Sequence, residues 1–316
     1  MRATLFHNPG AGDGGHSAAD FRDMLEAVGY ATSCRSTHDA NWREALDEPA
    51  DLRVVAGGDG TVAKVLLVPA SQLVPFAVLP LGGSNNIARS LGIERAPEMV
   101  VAGLHSGRVE PMDIGIAYGP WGRRPFLEGI GVGALARSIE GGSPPGADRS
   151  EKLRAGRLAL RRAVLAAPGD DWALAVDGKP VAGSFLFAEV MNIGFAGPRL
   201  SFAPGADPGD GLLDVCLLPV DRRAAMAAWL DTDEPDRPAP LVRLRGRTVV
   251  FAWYRAPLRI DDDLLFPDDV PGGGPPAGGA QQVTAALEGR RIEILLPGDS
   301  SDRPEADDPA AQEVNA

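Results

Sequence analysis

Three glycine-rich segments in the first third of the chain have the composition of phosphate-binding turns. They are residues 10–15 (GAGDGG), 57–61 (GGDGT) and 82–86 (GGSNN), and each follows a short apolar segment. Glycines let main-chain N–H groups approach phosphate oxygens closely, and the positive end of a following helix adds to the attraction. One carboxylate among them, Asp59, has the chemistry to hold Mg²⁺. These residues predict a site for a phosphorylated ligand.

The first of these segments permits several interpretations. Its spacing satisfies G-x-G-x-x-G, a dinucleotide-binding pattern, but Asn8 and Pro9 separate the preceding strand from the glycines. No acidic residue ends a clean second strand about 20 residues later, as that pattern requires. A Walker P-loop needs a lysine where His16 stands. An anion-binding turn at a helix start and a plain tight turn therefore both stay open.

The other two segments each join a predicted strand to a predicted helix. In an α/β sheet, the turns at the carboxyl ends of neighbouring parallel strands face one crevice. We therefore expect residues 57–61 and 82–86 to line a common site. The alternative is that residues 57–61 form only a tight turn in which Asp59 caps the helix that follows.

The order of the apolar segments predicts the fold that positions these turns. The predicted strands and helices alternate, at residues 4–7, 17–28, 52–56, 61–67 and 76–79. This order indicates parallel strands with crossover helices. Residues 1–118 are therefore predicted to form a βαβ nucleotide-binding domain of the α/β class.

From about residue 119 the pattern changes to that of antiparallel strands. Asp177 and Gly178 form a hairpin signal. The predicted strands of this part are residues 172–176, 185–193, 212–218, 248–253 and 258–261. Residues 119–297 are therefore predicted to form a β-rich antiparallel sandwich domain, whose last strand can return to the first domain. Two loop insertions and a disordered acidic tail complete the prediction, at residues 230–240, 271–280 and 298–316.

Composition argues against several classes of protein. Among 316 residues, 43 are acidic and 31 are lysine or arginine, and the resulting net charge of −12 disfavours a nucleic-acid-binding protein. Two cysteines, Cys34 and Cys216, are too few for a disulfide framework or a cysteine-based zinc site. Asn8 and Pro9 interrupt the N-terminal segment before a signal-peptide apolar core forms, so we expect a cytoplasmic protein.

A basic helix is predicted at residues 150–167. Arg154, Arg157 and Arg161 follow each other at spacings of three and four and so share one face. This face suits phosphates or an anionic membrane surface, and the alternative is a solvated face without a partner. No stretch of the chain approaches about 18 consecutive apolar residues. Any membrane contact is therefore expected to be peripheral, at the inner face of the membrane.

Several motifs occur in a fixed order along the chain. They are Asn8-Pro9 with Gly10 and Gly12, GGDGT at 57–61, PLGGSNNIARSLGI at 80–93, VEPMDIG at 109–115, and Ala203-Pro204 followed by DGLLDV at 210–215. In order and spacing they resemble the diacylglycerol kinase catalytic domain of the bacterial lipid kinase family, which is related to the sphingosine kinases. The resemblance covers residues 3 to about 297. GGDGT by itself also occurs in NAD kinases.

This resemblance implies that ATP binds to the first domain and that a lipid enters a cleft between the two domains. The implied nucleotide-binding residues are Asn8, Gly12, Gly57, Gly58, Asp59, Gly60, Thr61, Ser84 and Asn85. Asp59 and Asp113 are implied to serve the catalytic Mg²⁺. A further, structural Mg²⁺ site in some members corresponds to Asp207, Asp210 and the carbonyl oxygen of Leu212.

The family's D-G-E motif near the end of the second domain corresponds to Asp261, Asp262 and Asp263. Asp261 takes the place of the catalytic base, and Asp263 is the shortened counterpart of the glutamate. The chain departs from the family where Asp262 replaces the glycine and where Gly83 replaces a usual threonine. Lys64 stands in the segment after GGDGT, where the family often has N-E, and adds positive charge near the phosphates.

The expected function is transfer of phosphate from ATP, with Mg²⁺, to a lipid hydroxyl. Diacylglycerol is the first expected acceptor, and a sphingoid lipid or another acylglycerol is the second. Catalysis would depend mainly on alignment and charge neutralisation. The alternatives are an NAD kinase-like enzyme and a nucleotide- or lipid-binding protein without catalysis, the latter suggested by Gly83 and Lys64. The oligomeric state stays open, with a homodimer as one option.

Overall fold

A computed structural model of the chain describes residues 1–12, 15–142, 146–232, 238–254, 256–269 and 280–298. Residues 233–237 of the first expected loop insertion and 271–279 of the second lie outside this part. The same holds for residues 299–316 of the expected acidic tail, and for Asp13 and Gly14 of the first glycine-rich segment.

The N-terminal part is a parallel sheet flanked by helices. Its strands are β1 (Arg2–His7), β2 (Ala31–Ser36), β3 (Leu52–Gly57) and β4 (Phe76–Pro80), and its helices are α1 (Ala18–Ala27), α2 (Asp59–Leu66), α3 (Asn86–Ser90) and α4 (Pro97–Ala102). The strands pair in parallel in the order β2-β1-β3-β4. Every residue of β3 is buried, as expected for a central parallel strand covered on both faces.

The second part is rich in antiparallel strands. Its strands are β5 (Arg108–Gly119), β6 (Gly122–Phe126), β7 (Gly129–Gly133), β8 (Ala175–Val176), β9 (Lys179–Pro180), β10 (Phe185–Met191), β11 (Phe195–Ala196), β12 (Leu200–Ser201), β13 (Leu213–Pro219), β14 (Val242–Gly246), β15 (Thr248–Trp253), β16 (Leu258–Ile260), β17 (Asp263–Leu265) and β18 (Gln281–Leu296). Its helices are α5 (Ala134–Ile139), α6 (Arg149–Ala166) and α7 (Arg223–Leu230). Six of these strands form one antiparallel sheet in the order β14-β13-β10-β7-β16-β17.

Strand β18 joins the two parts of the molecule. Near its end, Ile294 pairs in parallel with Phe76 of β4, and most of the strand pairs antiparallel with β5. Residues 281–286 of β18 pair with β15. One sheet of ten strands therefore runs through both parts of the chain. The predicted class, an α/β segment followed by an antiparallel β-rich segment, is confirmed, while the division into domains at residue 118 stays a prediction.

Three buried apolar clusters fill the fold. The first surrounds the parallel sheet. The second lies between the two sheets of the β-rich part and includes Phe126, Phe251 and Trp253. The third packs α6 and α7 against the other face of the six-stranded sheet, through Leu160 and Trp229. Full burial of one large apolar side chain contributes roughly 1.5–3 kcal/mol, so packing fixes both faces of this sheet.

Candidate functional site

Two glycine turns touch each other through their main chains. The first follows β3 and the second follows β4, which is the neighbouring parallel strand. A Cβ atom added to Gly82 would lie 2.6 Å from the Cα atom of Gly58 and 2.7 Å from the Oδ1 atom of Asn85. A Cβ atom on Gly57 would lie 2.5 Å from the Cβ atom of Thr61. Glycine is therefore required at these positions, and together the two turns form one surface of main-chain atoms.

Asparagine side chains hold these turns in place. The Nδ2 atom of Asn8 donates to Thr61 Oγ1 at 2.8 Å, and its Oδ1 atom accepts from the N–H of Gly10 at 2.9 Å. Asn85 has the left-handed φ of 51°, and its Oδ1 atom accepts from the N–H of Gly82 at 2.7 Å. Both asparagines were predicted to bind a nucleotide, which stays a prediction, and in the structure both hold the glycine turns in place.

Asp59 links the two turns. Its Oδ1 atom accepts from the N–H of Ile87, in the first turn of α3, at 3.0 Å. The N-cap of α2 is Gly58, so Asp59 does not cap the helix that it begins. Burial raises the pKa of the Asp59 carboxyl, and the nearby charge of Asp262 raises it further. The alternative in which Asp59 caps α2 is therefore wrong, because its carboxylate accepts from α3 instead.

A cavity of about 890 Å³ lies over the two turns. Its lining includes the predicted residues Asn8, Gly12, Gly58, Gly60 and Thr61. The start of α6 closes the other side with Arg149, Ser150 and Lys152. The Nε atom of Arg149 donates to the carbonyl oxygen of Gly83 at 2.9 Å. The sequence prediction missed Arg149 and Lys152, because nothing in the spacing of α6 shows which end of the helix reaches the glycine turns.

A second cavity, of about 420 Å³, adjoins the first. It lies between the glycine turns and the β-rich part, and its lining includes Asp59, Ser84, Glu128, Arg259, Asp261 and Asp262. Both cavities share Gly58, Gly60, Gly82, Gly83 and Lys152. A group bound over the turns in one cavity would therefore meet a group bound in the other.

The carboxylate of Asp261 holds two turns together. It accepts from the N–H groups of Leu127 at 3.0 Å, Glu128 at 2.8 Å and Gly129 at 3.1 Å. Its own N–H donates to the carbonyl oxygen of Gly129 at 2.9 Å. Burial raises the pKa of Asp261 to about 6, although the three N–H donors oppose this rise. Both oxygens of the residue predicted as base are thus engaged by the main chain.

The two aspartates after Asp261 face different surroundings. A Cβ atom on Gly60 would lie 3.0 Å from Asp262 Oδ2, so Asp262 faces the first glycine turn. Neighbouring protein atoms dehydrate its carboxyl and raise its pKa. Asp263 has a side chain that is 67% exposed and pairs with Arg124. It lines neither of these two cavities. The structure therefore brings Asp261 and Asp262, but not Asp263, to the cleft.

Asp113 lies with the loop at residues 207–212. Its carboxylate accepts from Arg291 Nε at 2.6 Å and from the N–H of Gly211 at 2.8 Å. Its N–H donates to the carbonyl oxygen of Pro208 at 2.7 Å. The contacts of Asp59 are with α3 and Asp262 instead. Asp59 and Asp113, which the resemblance assigned to one Mg²⁺, therefore have different hydrogen-bond partners.

The acidic loop itself is already partnered. Asp207 accepts from the N–H of Gly209, and Asp210 accepts from the N–H of Leu212, both at 2.9 Å. Asp210 also pairs with Arg245. Arg245 supplies positive charge at the place where the resemblance implies a structural Mg²⁺. Within the described residues, no cluster of three or more acidic, histidine or cysteine side chains is arranged to hold a metal ion.

Glu128 is a buried acid that the sequence prediction missed. Its side chain lines the smaller cavity, is only 3% exposed, and has an Oε1 atom without a hydrogen-bond partner. Burial raises the pKa of Glu128 well above its ordinary value, and Asp59, Asp262 and Asp261 raise it further, while Arg259 opposes them. A single glutamate between two strands carries no motif, so only the fold shows that it faces the glycine turns.

The structure shows the surroundings of Lys64 and Gly83, the two departures from the family pattern near the glycine turns. The Nζ atom of Lys64 donates to the carbonyl oxygen of Thr37 at 2.6 Å and lies 5.4 Å from the ring centre of Trp42. Its charge is therefore partnered. A Cβ atom on Gly83 would meet no atom within 4 Å. The space that a threonine would fill is open, and Arg149 contacts the carbonyl beside it.

Two of the three arginines expected on the basic face of α6 have partners within the protein. Arg157 donates to the carbonyl oxygen of Thr232 at 3.0 Å, and Arg161 pairs with Asp231 at 2.8 Å, so both contact the segment after α7. The exposed face of α6, which points away from the buried Leu160 and Val164, includes Arg154, Leu158, Arg162 and Leu165, with Glu151 at its N-terminal end. We call these two arginines and two leucines the outer face of α6. Among the described residues, no helix is both long and apolar enough to cross a bilayer.

The described part of the chain thus has an α/β sheet in which two touching glycine turns open to a cleft. Residues 2–117 match the family model of the diacylglycerol kinase catalytic domain. The resemblance seen in the sequence motifs is thereby confirmed.

Curated relatives carry the name diacylglycerol kinase, and a solved structure shares the fold. The chain is 28% identical over 245 residues to a diacylglycerol kinase of Bacillus subtilis strain 168, covering 72% of this chain and 76% of the relative. It is 26% identical over 220 residues to a diacylglycerol kinase of Mycobacterium tuberculosis strain H37Rv, covering 66% and 67%. A crystal structure of a diacylglycerol kinase from Bacillus anthracis has a TM-score of 0.61 at 16% identity, covering 93% of this chain and 96% of that one. The shared fold therefore extends well beyond residue 117.

The contacts of Asp261 predict its effect on stability. Asp261→Asn removes the charge that accepts three main-chain N–H donors, so we expect the free energy of unfolding to fall by about 1–3 kcal/mol. Asp263→Asn, the matched control, changes an exposed ion pair and should alter it by no more than about 0.5 kcal/mol. Urea unfolding of both variants measures the difference. Equal losses in the two variants would contradict the structural role of Asp261.

Proposed function

We propose that the protein is an ATP- and Mg²⁺-dependent lipid kinase that phosphorylates a lipid hydroxyl, with diacylglycerol as the first candidate acceptor. The observation that carries this proposal is the meeting of two cavities over Gly58, Gly60, Gly82 and Gly83. A phosphate donor in the larger cavity and a hydroxyl acceptor in the smaller one would meet at these glycines. The names of the relatives, which are diacylglycerol kinases, support the choice of acceptor.

The larger cavity has the features of a nucleotide phosphate site. Main-chain N–H groups of the two turns neutralise phosphate charge without a side chain between them. Arg149 and Lys152 add positive charge from the opposite wall. Because the turns touch, their N–H groups need no rearrangement when the phosphates arrive, which favours stabilisation of charge in the transition state.

Asp59 and Asp262 fit a Mg²⁺ ion. Nearby protein atoms dehydrate both carboxyls and raise the pKa of each, and the charge of Asp262 raises the pKa of Asp59 further, so a cation near both would relieve an unfavourable arrangement. Mg²⁺ in phosphate-transfer sites is usually bound by one or two carboxylates together with phosphate oxygens. Bound there, Mg²⁺ would neutralise charge on the phosphates. Asp113, which contacts Arg291 and Gly211, is not part of this pair.

Besides neutralising charge, the site must align the two substrates for phosphate transfer. Phosphate transfer requires the attacking oxygen, the phosphorus atom and the leaving oxygen to lie roughly in line. The shared glycines set the position of the phosphates, and the walls of the smaller cavity set the direction from which the hydroxyl enters. Lys152 lines both cavities, so its ammonium group is placed to neutralise charge where the two substrates meet.

The proposal predicts that kinase activity depends on Asp59. ATP-dependent transfer of ³²P to diacylglycerol in mixed micelles should fall at least about 100-fold in Asp59→Asn, because the charge that faces Mg²⁺ is removed. Asp23→Asn, an exposed change in α1, is the control and should keep full activity. Transfer to NAD instead of lipid, or no transfer to either, would reject the lipid kinase.

Nucleotide affinity should depend on the contact between the turns. An alanine methyl group at position 82 would push Gly58 and Asn85 away, so we expect Gly82→Ala to weaken ATP binding at least about tenfold. The control, Gly141→Ala, also meets no atom, lies outside the lining of both cavities and should bind ATP within a factor of about three. Isothermal titration with a non-hydrolysable ATP analogue and Mg²⁺ compares them. Equal affinities would show that ATP binds elsewhere.

The outer face of α6 is part of the same proposal, as a peripheral membrane contact. Arg154 and Arg162 alternate with Leu158 and Leu165, which are 46% and 45% exposed. Cations interleaved with apolar side chains on one helix face suit an anionic bilayer. The N-terminal end of α6 lines both cavities, so a lipid would be taken from the bilayer close to the smaller one.

This contact predicts binding to anionic vesicles. Near an anionic surface, one arginine contributes roughly 1 kcal/mol, so Arg154→Gln with Arg162→Gln should weaken binding to phosphatidylserine vesicles about tenfold or more. The control, Arg22→Gln with Arg108→Gln, removes the same charge from other parts of the surface. Vesicle sedimentation at two salt concentrations measures the change. If both double variants bind the vesicles equally weakly, net charge explains the binding and the outer face of α6 is not the membrane contact.

A further inference from the structure

Glu128 is held rigidly at the wall of the smaller cavity. It lies in the turn between β6 and β7. Its N–H donates to Asp261 Oδ1 at 2.8 Å, and its carbonyl oxygen accepts from the N–H of Asn192 at 2.9 Å. These two hydrogen bonds fix the main chain of Glu128 at the cavity wall.

The side chain of Glu128 lacks the partner that its burial requires. Buried carboxylate oxygens are normally hydrogen-bonded, and an exception calls for an explanation. Its Oε1 atom has no such partner. The nearby cation, Arg259, donates to Glu189 Oε2 at 2.8 Å and to the carbonyl oxygen of Asp261 at 3.1 Å, and its buried Nη2 atom has no hydrogen-bond partner either. Both residues line the cavity, so a hydroxyl bound there is a candidate partner for both side chains.

The other carboxylates of the cleft are less suited to contact an acceptor hydroxyl. Asp261 already accepts from three N–H groups. Asp262 faces Gly60 and, with Asp59, is placed toward the phosphates. Asp263 pairs with Arg124 and does not line the cavity. Of these described carboxylates, Glu128 is the one that combines a place in the cavity wall with a buried oxygen that has no hydrogen-bond partner.

We infer that Glu128 accepts the hydrogen bond of the acceptor hydroxyl and takes its proton during phosphate transfer. In this step the O–H bond of the acceptor breaks, its oxygen bonds to the γ-phosphorus, and the bond from that phosphorus to the β–γ bridging oxygen breaks. The electron pair leaves with ADP, and the proton stays on the Glu128 carboxylate. The inference rests on the proposed lipid kinase activity.

The surroundings of Glu128 support this role. Burial raises the pKa of Glu128 well above its ordinary value and Asp261 raises it further, while Arg259 opposes this effect. A base of raised pKa is better matched to a proton that becomes acidic only as the new bond forms. Asp261 acts through Glu128, since it binds the N–H of that residue, and is therefore a positioning residue.

The test compares four forms of the full chain with Mg·ATP and diacylglycerol in micelles. Glu128→Gln keeps the shape and removes the base, so kcat should fall about 10²- to 10⁴-fold while the KM for ATP stays within a few-fold. Glu128→Ala should lose as much, and added formate, which fits the vacated space, should restore part of its kcat. Glu94→Gln, at an exposed ion pair with Arg89, is the control.

Each outcome separates this inference from the proposed function. If the unaltered protein phosphorylates lipid and Glu128→Gln keeps its kcat, Glu128 is not the proton acceptor, and the lipid kinase still stands. The same conclusion follows if only the KM for the lipid rises, or if formate fails to restore Glu128→Ala although that variant binds ATP normally. If the unaltered protein phosphorylates no lipid, both the function and the role of Glu128 are rejected.

Discussion

The main-chain contact between Gly58 and Gly82 is the constraint on which the candidate site depends. Two neighbouring parallel strands end side by side, and only the absence of side chains lets the turns after them touch. This contact brings the main chains of both turns together, and Asp59 reaches from the first turn to the start of α3. Asn8 and Asn85 supply the hydrogen bonds that hold this arrangement.

The wall of the cleft that faces the glycine turns carries acidic side chains. Buried acids from the β-rich part face the glycine turns, and the pKa of Glu189 behind them is raised to about 7 by burial despite its pairing with Arg259. Keeping several acids in a poorly hydrated region is unfavourable for folding. The cleft thus sets N–H groups, which suit phosphates, against carboxyl groups, which suit a hydroxyl and a metal ion.

Much of the architecture could be predicted because it rests on local signals. Alternating apolar segments gave the parallel sheet, and the glycine motifs identified the turns. The roles of the three aspartates at 261–263 could not be read in this way, because a left-handed φ of 50° at Asp261 turns its carboxylate onto the main chain and leaves Asp262 toward Gly60. Glu128 and Lys152 reach the site only through tertiary packing, which no spacing in the sequence records.

The strand β18 also bears on how the chain comes to be folded. Its end pairs with β4, yet Ile294 and Phe76 lie far apart in the sequence. An uncovered strand edge can pair with other chains, and contacts between distant segments form slowly. The edge of the parallel sheet at β4 is therefore covered only when the last described strand of the chain has been placed beside it.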